Sequence, residues 1–266
     1  MPELPEVETI RRQLAPYLQG CSVQDACSHP SEKFTPAKDV IGTTIQELKR
    51  KGKYLIARLD DNRELIVHLG MTGSLTLAAA IPDDPYIRAS WHLEGHKVLV
   101  FRDIRRFGRI RCVPAGRYDT IPTLANLGPD ALSDEFTPES FYHALRNSRR
   151  RISTQLLSQR PVAGIGNIYS TEALWMVGIH PAKRQISRSA AAGLHAALIK
   201  VLRAGLSNGG TTFRDYRNVQ GSKGKHQNAL TCYGRSGQPC LRCGQPLQHR
   251  TYDSRTLTFC PKCQPC

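Results

Sequence analysis

The sequence lacks long apolar runs and an export signal. No stretch of the 266 residues approaches the roughly 18 to 20 consecutive apolar residues of a membrane span, and the acidic start has neither the charged nor the apolar region of a signal peptide. Internal repeats and low-complexity tracts are also missing. We therefore expect a soluble, globular protein of the cytoplasm, with two domains or one domain and an appended module.

Acidic residues are in deficit, which leaves the chain strongly positive. Lys and Arg number 37 against 22 Asp and Glu, giving a formal charge of +15 and a pI near 9.7. The basic residues cluster in residues 49–53, 102–111 and 146–151. Clusters of this kind favour a polyanionic partner, nucleic acid first. A basic protein without such a ligand is the alternative.

Nine cysteines in a chain without an export signal indicate reduced thiols and metal binding rather than disulfides. Cys240-x2-Cys243 and Cys260-x2-Cys263, sixteen residues apart, form the pattern of a tetrahedral, structural zinc site. So short a module builds little core, so the metal would supply its folding free energy. Cys266 is a rival ligand. The other cysteines are predicted to be core or surface thiols: Cys21, Cys27, Cys112 and Cys232.

The first six residues combine a proline with two acids. Removal of Met1 would expose the secondary amine of Pro2, which titrates at roughly 7.7 to 8.0 and is partly neutral near physiological pH. Such an amine can attack a sugar carbon and form a cationic iminium that primes elimination, with Glu3 and Glu6 close by for proton transfer. The same residues predict a helix start with Pro5 at the first helical position. Both interpretations can hold at once.

The periodicity divides the chain into four parts. Residues 1–113 are a β-rich domain that follows one helix, residues 114–137 are a proline-containing linker, residues 138–234 are helical, and residues 235–266 form the cysteine module. The predicted strands are 54–59, 64–69, 74–77, 97–102 and 109–113, and the predicted later helices lie near 138–147, 150–159, 167–176 and 187–206.

Two polar residues of the second half are candidates for phosphate binding. Asn167 follows two glycines at the start of a predicted helix, where backbone N–H groups bind phosphate well; an ordinary capped turn is the alternative. Arg255 lies near the tip of a predicted hairpin over 252–259. Its guanidinium could clamp a phosphate bidentately or be merely solvated.

Two loops of the first half are candidates for contact with bases. Arg105 and Phe107 lie in a loop between strands, and arginine with an insertable ring is what opening a base stack requires. Met71 lies between glycines and is either a core residue or a wedge. Lys53 begins a strand behind a basic cluster and suits a phosphate contact or a proton relay.

Taken in order, these segments resemble the bacterial formamidopyrimidine-DNA glycosylase family, whose relatives include endonuclease VIII. The resemblance covers nearly the whole chain and is carried by residues 2–9, 52–55, 68–71, 105–108 and 163–169 and by the four-cysteine module. It implies an α+β multidomain fold: an N-terminal β-sandwich with flanking helices, a helix-two-turns-helix domain and a C-terminal zinc ribbon. It further implies a monomer that binds double-stranded damaged DNA in a cleft, at the bacterial nucleoid.

The resemblance also implies a reaction. The family removes oxidised purines such as 8-oxoguanine and formamidopyrimidines, then cleaves the abasic site by β,δ-elimination. Pro2 would attack the sugar C1′, Glu3 would donate a proton, Lys53 would handle protons, and Glu6 would support the site. Asn167 and Arg255 would bind phosphates that flank the lesion, and Arg255 is counted with the catalytic set. The gap left by the extruded nucleotide would be filled by Met71, Arg105 and Phe107.

The chain departs from the family pattern at four places. Residues 86–92 replace a common His-Asp-His stretch, so one phosphate contact that the resemblance implies is missing. Ile104 stands where proline is common, and Thr258 interrupts an aromatic run. Lys225-His226 replaces an aromatic pair in a loop associated with holding the oxidised purine. Two alternatives therefore stay open: an endonuclease VIII-like enzyme for oxidised pyrimidines, and a catalytically silent binder of damaged DNA.

Overall fold

The computed structural model describes residues 1–95 and 97–266. The chain forms two compact units, each made of two separate stretches. The N-terminal unit comprises Met1–Ala125 and Gly205–Gln227, and the C-terminal unit comprises Asn126–Ala204 and Asn228–Cys266. Within the described residues, no helix is long and apolar enough to cross a membrane.

The N-terminal unit opens with helix α1, Leu4–Leu18. Glu3 is its N-cap residue and forms a capping box with Glu6, so the backbone N–H groups of Glu3 and Glu6 both have hydrogen-bond acceptors. The helix begins one residue earlier than predicted, which puts Pro5 in the second helical position. Its apolar face is fully buried and consists of Leu4, Val7, Ile10, Leu14 and Leu18.

Two antiparallel four-stranded sheets enclose one apolar core. Their orders are β1-β6-β7-β5 and β2-β3-β4-β8. Both sheets contribute to a single buried cluster together with α1, which confirms the predicted β-sandwich. The strands are β1 Val23–Ser28, β2 Ile45–Lys51, β3 Tyr54–Leu59, β4 Arg63–His68, β5 Ser74–Ala78, β6 Ile87–Leu93, β7 Lys97–Arg102 and β8 Arg109–Pro114, and a 3-10 helix spans Thr35–Val40.

Five of these eight strands lie where the sequence predicts them, with ends that differ by at most one residue. The strands β1, β2 and β6 were not predicted. β1 and β2 are rich in polar and charged residues, and β6 carries Arg88 and His92, so their apolar alternation is weak. The predicted linker contains one short helix, α2 Pro122–Ala125.

The C-terminal unit is helical and carries a two-stranded ribbon. A capping box between Thr137 and Ser140 starts α3. The last turn of α6 belongs to the N-terminal unit, because that unit resumes at Gly205. The elements are α3 Pro138–Arg146, α4 Ile152–Leu157, α5 Asn167–Met176, α6 Arg188–Ser207, a 3-10 helix His226–Ala229, β9 Gln248–Tyr252 and β10 Arg255–Phe259.

Helix α5 carries the ribbon. Its buried Glu172 accepts backbone hydrogen bonds from Thr231, Cys232 and Tyr233 at 2.7 to 2.9 Å and a fourth from the Thr231 hydroxyl. Three residues further along the helix, the Arg242 guanidinium lies 4.4 Å from the centre of the Trp175 ring. The ribbon therefore keeps a fixed position relative to the first residue of α5.

Candidate active site

The start of α1 gathers the acidic candidates of the N-terminal unit. Pro2, Glu3 and Glu6 are all buried, and Glu6 is only 1% exposed. One carboxylate oxygen of Glu6 accepts the Glu3 N–H at 2.8 Å, and the other accepts the Thr211 N–H at 2.7 Å. Glu6 thus joins the chain start to the stretch that returns from α6.

Gly210 is required for this junction. Its φ of +86° favours glycine, and a Cβ there would lie 2.9 Å from Glu6 Cγ. No sequence pattern connects these two positions, which are more than 200 residues apart.

The charges of the cluster act on the terminal amine. Burial lowers the pKa of the Met1 α-amino group, and Lys53 acts in the same direction, whereas Glu3, Glu6 and Asp215 oppose both effects. Lys53 is itself 6% exposed and lies at the tight turn between β2 and β3, where Gly52 has a φ of +56°. The predicted Glu3, Glu6 and Lys53 therefore lie near the terminal amine next to Pro2, and burial lowers the pKa of that amine below its usual value.

His68, at the end of β4, is a neighbour of this cluster that sequence reasoning named only as part of a motif. Burial, with the charges of Lys53 and Arg109, lowers the pKa of His68 to about 4, so its ring is neutral near pH 7. Its Nδ1 accepts the Gly70 N–H at 3.2 Å, and its ring packs 4.7 Å from that of Tyr54. The motif around Met71 was the available signal.

A buried carboxylate fixes the two candidate wedge loops to each other. Asp103 is fully buried; it accepts the Thr72 hydroxyl at 2.5 Å and the Gly108 N–H at 2.7 Å. The Thr72 oxygen in turn accepts the Arg105 N–H at 3.0 Å. These hydrogen bonds connect the loop that contains Met71, next to Thr72, to the loop that contains Arg105.

The same loop presents an aromatic ring. Phe107 is 48% exposed, and the Arg105 guanidinium lies 4.9 Å from its ring centre. Ile104, in the same loop, is 39% exposed and contributes apolar surface. Behind the loop, the buried Arg88 donates to the Asp103 carbonyl at 2.8 Å and to the Pro85 carbonyl at 3.1 Å. Arg88, in the stretch that replaces His-Asp-His, therefore supports the backbone of this loop.

In the C-terminal unit, the two candidate phosphate ligands lie next to one another. Asn167 is the first residue of α5, and its Nδ2 donates to the Thr256 carbonyl at 2.9 Å. Arg255 is exposed at the start of β10, directly after a two-residue tip in which Asp253 and Ser254 have left-handed φ angles of 47° and 64°. The hairpin end thus carries Arg255 within one residue of the Asn167 contact.

The loop that carries Lys225-His226 folds back on its own unit. His226 is buried, its Nδ1 lies 3.1 Å from the Asn208 side chain, and its N–H donates to the Gly210 carbonyl at 3.0 Å. The neighbouring Gly224 N–H donates to the Thr212 hydroxyl at 2.9 Å. This departure therefore anchors the loop beside the Glu6 junction.

Four cysteines of the ribbon converge. The Sγ atoms of Cys240, Cys243, Cys260 and Cys263 all lie within 4.8 Å of one another; two of these separations are 3.4 and 4.0 Å. Zn–S bonds of about 2.3 Å in a tetrahedron place sulfurs about 3.8 Å apart, so the set fits such an ion. The rival Cys266 is exposed and outside the cluster.

Comparison with known proteins identifies the family. A family model described as the formamidopyrimidine-DNA glycosylase N-terminal domain matches residues 1–110, and one described as the formamidopyrimidine-DNA glycosylase H2TH domain matches residues 127–217. The chain belongs to the formamidopyrimidine-DNA glycosylase family. Among curated members, that of Deinococcus radiodurans is 38% identical over 100% of this chain and 98% of its own, and that of Thermus thermophilus is 40% identical over 99% and 98%.

Solved structures of family members have the same fold. The crystal structure of the MutM (Fpg) protein from Thermus thermophilus has a TM-score of 0.92 at 39% identity and covers 99% of this chain and 98% of that one. A Lactococcus lactis Fpg mutant in complex with Fapy-dG-containing DNA has a TM-score of 0.90 at 34% identity, with full coverage of both chains. MutM in complex with DNA containing carbocyclic 8-oxo-G gives 0.91 at 34%, again with full coverage of both.

Proposed function

We propose that this chain is a bifunctional enzyme that excises oxidised purines from double-stranded DNA and then cleaves the abasic site as a lyase. The observation that carries the proposal is the cluster of Glu3, Glu6 and Lys53 around the terminal amine next to Pro2. The neighbouring structures support the substrate class, since a Lactococcus lactis Fpg mutant was crystallised with Fapy-dG-containing DNA and MutM with an 8-oxo-G analogue.

The nucleophile is the ring nitrogen of Pro2 once Met1 has been removed. That nitrogen lies one residue along the chain from the Met1 amine, whose pKa is lowered by burial and by Lys53. We propose that the same surroundings lower the pKa of the Pro2 amine, so that a larger fraction carries a free lone pair at neutral pH. It attacks C1′ of the damaged nucleotide, the bond from C1′ to the base breaks, and the base leaves with a proton for which Glu3 is the donor.

The covalent intermediate then drives strand cleavage. Opening of the sugar gives a cationic iminium between Pro2 and C1′, and loss of a C2′ proton expels the 3′ phosphate. A second elimination expels the 5′ phosphate, and hydrolysis of the iminium releases the sugar remnant. Lys53 is the group we assign to proton handling, and Glu6 orients Glu3 through its backbone N–H.

DNA binding follows from charge and from exposed groups in each unit. The net charge of +15 provides sequence-independent attraction to the backbone. In the C-terminal unit, Asn167 and Arg255 hold phosphates. In the N-terminal unit, Met71, Arg105 and Phe107 fill the space of the extruded nucleotide.

The four ribbon cysteines would hold one structural zinc ion. The metal supplies folding free energy to a module with little apolar core, and it takes no part in the reaction. With the metal in place, the hairpin would keep Arg255 beside Asn167. We further propose that the protein acts as a monomer in the bacterial cytoplasm.

A covalent trap tests the proposal. Borohydride should reduce the iminium and join the protein to nicked lesion DNA, and mass spectrometry should place the sugar remnant on the Pro2 nitrogen. Pro2→Gly should bind lesion DNA with parental affinity but lose lyase turnover, while Pro16→Gly, in the last turn of α1, serves as a matched control. Attachment to a lysine, or only reversible complexes, would refute the nucleophile.

A lesion panel tests specificity separately. We expect faster release of 8-oxoguanine and formamidopyrimidine than of thymine glycol. The reverse order would assign the pyrimidine branch.

A further inference from the structure

A cavity of about 430 Å³ lies in the C-terminal unit, on the β9 side of the ribbon. Arg151, the segment around His180 and Arg184, and the strand residues Arg250 and Tyr252 line it. None of the described residues that line the cavity is an Asp or a Glu. It shares no residue with the catalytic set proposed above.

Two polar groups in its wall lack partners. His180 is 94% buried, and its Nδ1 accepts the Ala182 N–H at 3.1 Å, so the neutral ring carries its proton on Nε2. That donor has no hydrogen-bond partner among residues 1–95 and 97–266. The Tyr252 hydroxyl is likewise buried without a partner in this part of the chain. Buried donors are nearly always satisfied in native proteins, so the Tyr252 hydroxyl calls for an acceptor, and the His180 Nε2–H is available to donate to the same one.

Three guanidinium groups from separate segments surround these donors. Arg250 contributes from β9, and Arg184 donates through one nitrogen to the Arg149 carbonyl at 2.8 Å, which leaves its other donors for a ligand. Arg151 lies 5.1 Å from the centre of the Tyr252 ring and is 3.4 Å from the Asp253 carboxylate outside the cavity. Such a convergence of like charges is repulsive unless an anion occupies the space between them.

We infer that this cavity binds a phosphate group. A tetrahedral oxyanion presents enough acceptor oxygens for the His180 Nε2–H, the Tyr252 O–H and the planar arginine forks at once. Aromatic walls from Tyr252 and Phe259 also suit the ring of a phosphorylated, nucleotide-like ligand. The group comes either from a free phosphorylated small molecule or from a DNA phosphodiester, and the two sources share this chemistry.

Titration of the full-length, zinc-loaded protein tests the inference. Two probes, pyrophosphate and an undamaged duplex, are each titrated, with calorimetry for affinity and the imidazole NMR signals of His180 as the local reporter. For a free ligand, we expect pyrophosphate to shift the His180 signals and to bind at least fivefold more weakly to Arg184→Gln, Arg250→Gln and Tyr252→Phe. For a DNA source, these variants instead bind the undamaged duplex more weakly. Each arginine variant then also lowers, by about one, the slope of log affinity for the duplex against log salt concentration.

Arg188→Gln is the matched control, because Arg188 is exposed in the same unit, pairs with Glu139 at 2.8 Å and does not line the cavity. The inference is overturned if the control weakens either probe as much as the cavity variants do, since the effect would then be general charge. It is also overturned if Tyr252→Phe binds both probes as tightly as the parent, or if neither probe moves the His180 signals. These outcomes do not depend on Pro2, so trapping at Pro2 is measured in every variant to separate this site from the catalytic proposal.

Discussion

Removal of one hydroxyl group should loosen both wedge loops of the N-terminal unit. Thr72 is 7% exposed, and its Oγ1 is the atom that connects Asp103 to the Arg105 backbone. Thr72→Val replaces this hydroxyl by a methyl of similar volume, so packing is kept while both hydrogen bonds are lost. Thr72→Ser keeps the hydroxyl and loses only the methyl, which makes it the matched control.

The expected cost follows from the two bonds. The bond to the buried Asp103 carboxylate contributes about 1.5 to 3 kcal/mol, and the one from the Arg105 amide about 0.5 to 1.5 kcal/mol, because that exposed residue can be rehydrated. We therefore expect Thr72→Val to lower the free energy of unfolding by about 2 to 4 kcal/mol. Loss of one methyl group in Thr72→Ser costs about 0.8 kcal/mol.

Tryptophan fluorescence measures this cost within the right unit. The chain has two tryptophans, of which Trp91 is buried in the N-terminal sandwich and Trp175 lies in the other unit. Urea unfolding is followed through Trp91 in a Trp175→Phe background, for the parent and for both Thr72 variants. Equal stabilities of Thr72→Val and Thr72→Ser would refute the bridging role. Under the proposed function, Thr72→Val also slows excision from duplex DNA more than trapping on single-stranded abasic DNA, because only the duplex requires extrusion.

Three further outcomes are expected. The pKa of Glu8 falls from 4.5 to about 2 because, against the effect of burial, Arg11, Arg12 and Arg50 bind its carboxylate. The pKa of Glu8 is lower in the folded state than in the unfolded state, so about 3 kcal/mol of stability is present above pH 4.5 and is lost as the pH falls towards 2. In Glu8→Gln, the free energy of unfolding should therefore fall less between pH 4.5 and pH 2 than in the parent. An equal fall in both proteins would contradict this expectation. Chelation or Cys243→Ser should unfold the ribbon, release one zinc ion per chain and weaken DNA binding, whereas Cys266→Ser should keep both the zinc ion and the DNA affinity. Metal analysis measures the zinc content, and fluorescence anisotropy with labelled DNA measures the affinity. Glu172→Gln should lower the free energy of unfolding by about 2 to 4 kcal/mol, since an amide cannot accept all four hydrogen bonds; the exposed Glu139→Gln, measured alongside it, should change little.

Much of the site was predictable because its residues lie in local motifs. The helix start that carries Glu3 and Glu6, the four-cysteine spacing and the hairpin that carries Arg255 are each set by neighbours within a few residues. Local backbone chemistry of this kind can be read from one sequence.

The parts that could not be predicted depend on contacts between distant residues. The polar strands β1 and β2 form because they pair with β6 and β3, and not because of their own composition. Nothing near Thr72 indicates that its hydroxyl meets Asp103, 31 residues away. The return of residues 205–227 to the first unit is likewise a long-range event.

Under the proposed function, the junction at Glu6 would hold the chain terminus in place for attack on the sugar. Terminal residues are usually poorly ordered unless other contacts hold them in place. An amine displaced by about one ångström from its reactive position reacts far more slowly. Here the first residues enter a capped helix, and Glu6 accepts one hydrogen bond from Glu3 and one from Thr211. The loop containing Lys225-His226 starts from the same stretch as Thr211. Under the proposed function, a change in that loop would alter the position of Glu3 through Thr211 and Glu6, so lesion preference and proton donation would depend on the same hydrogen-bonded stretch of chain.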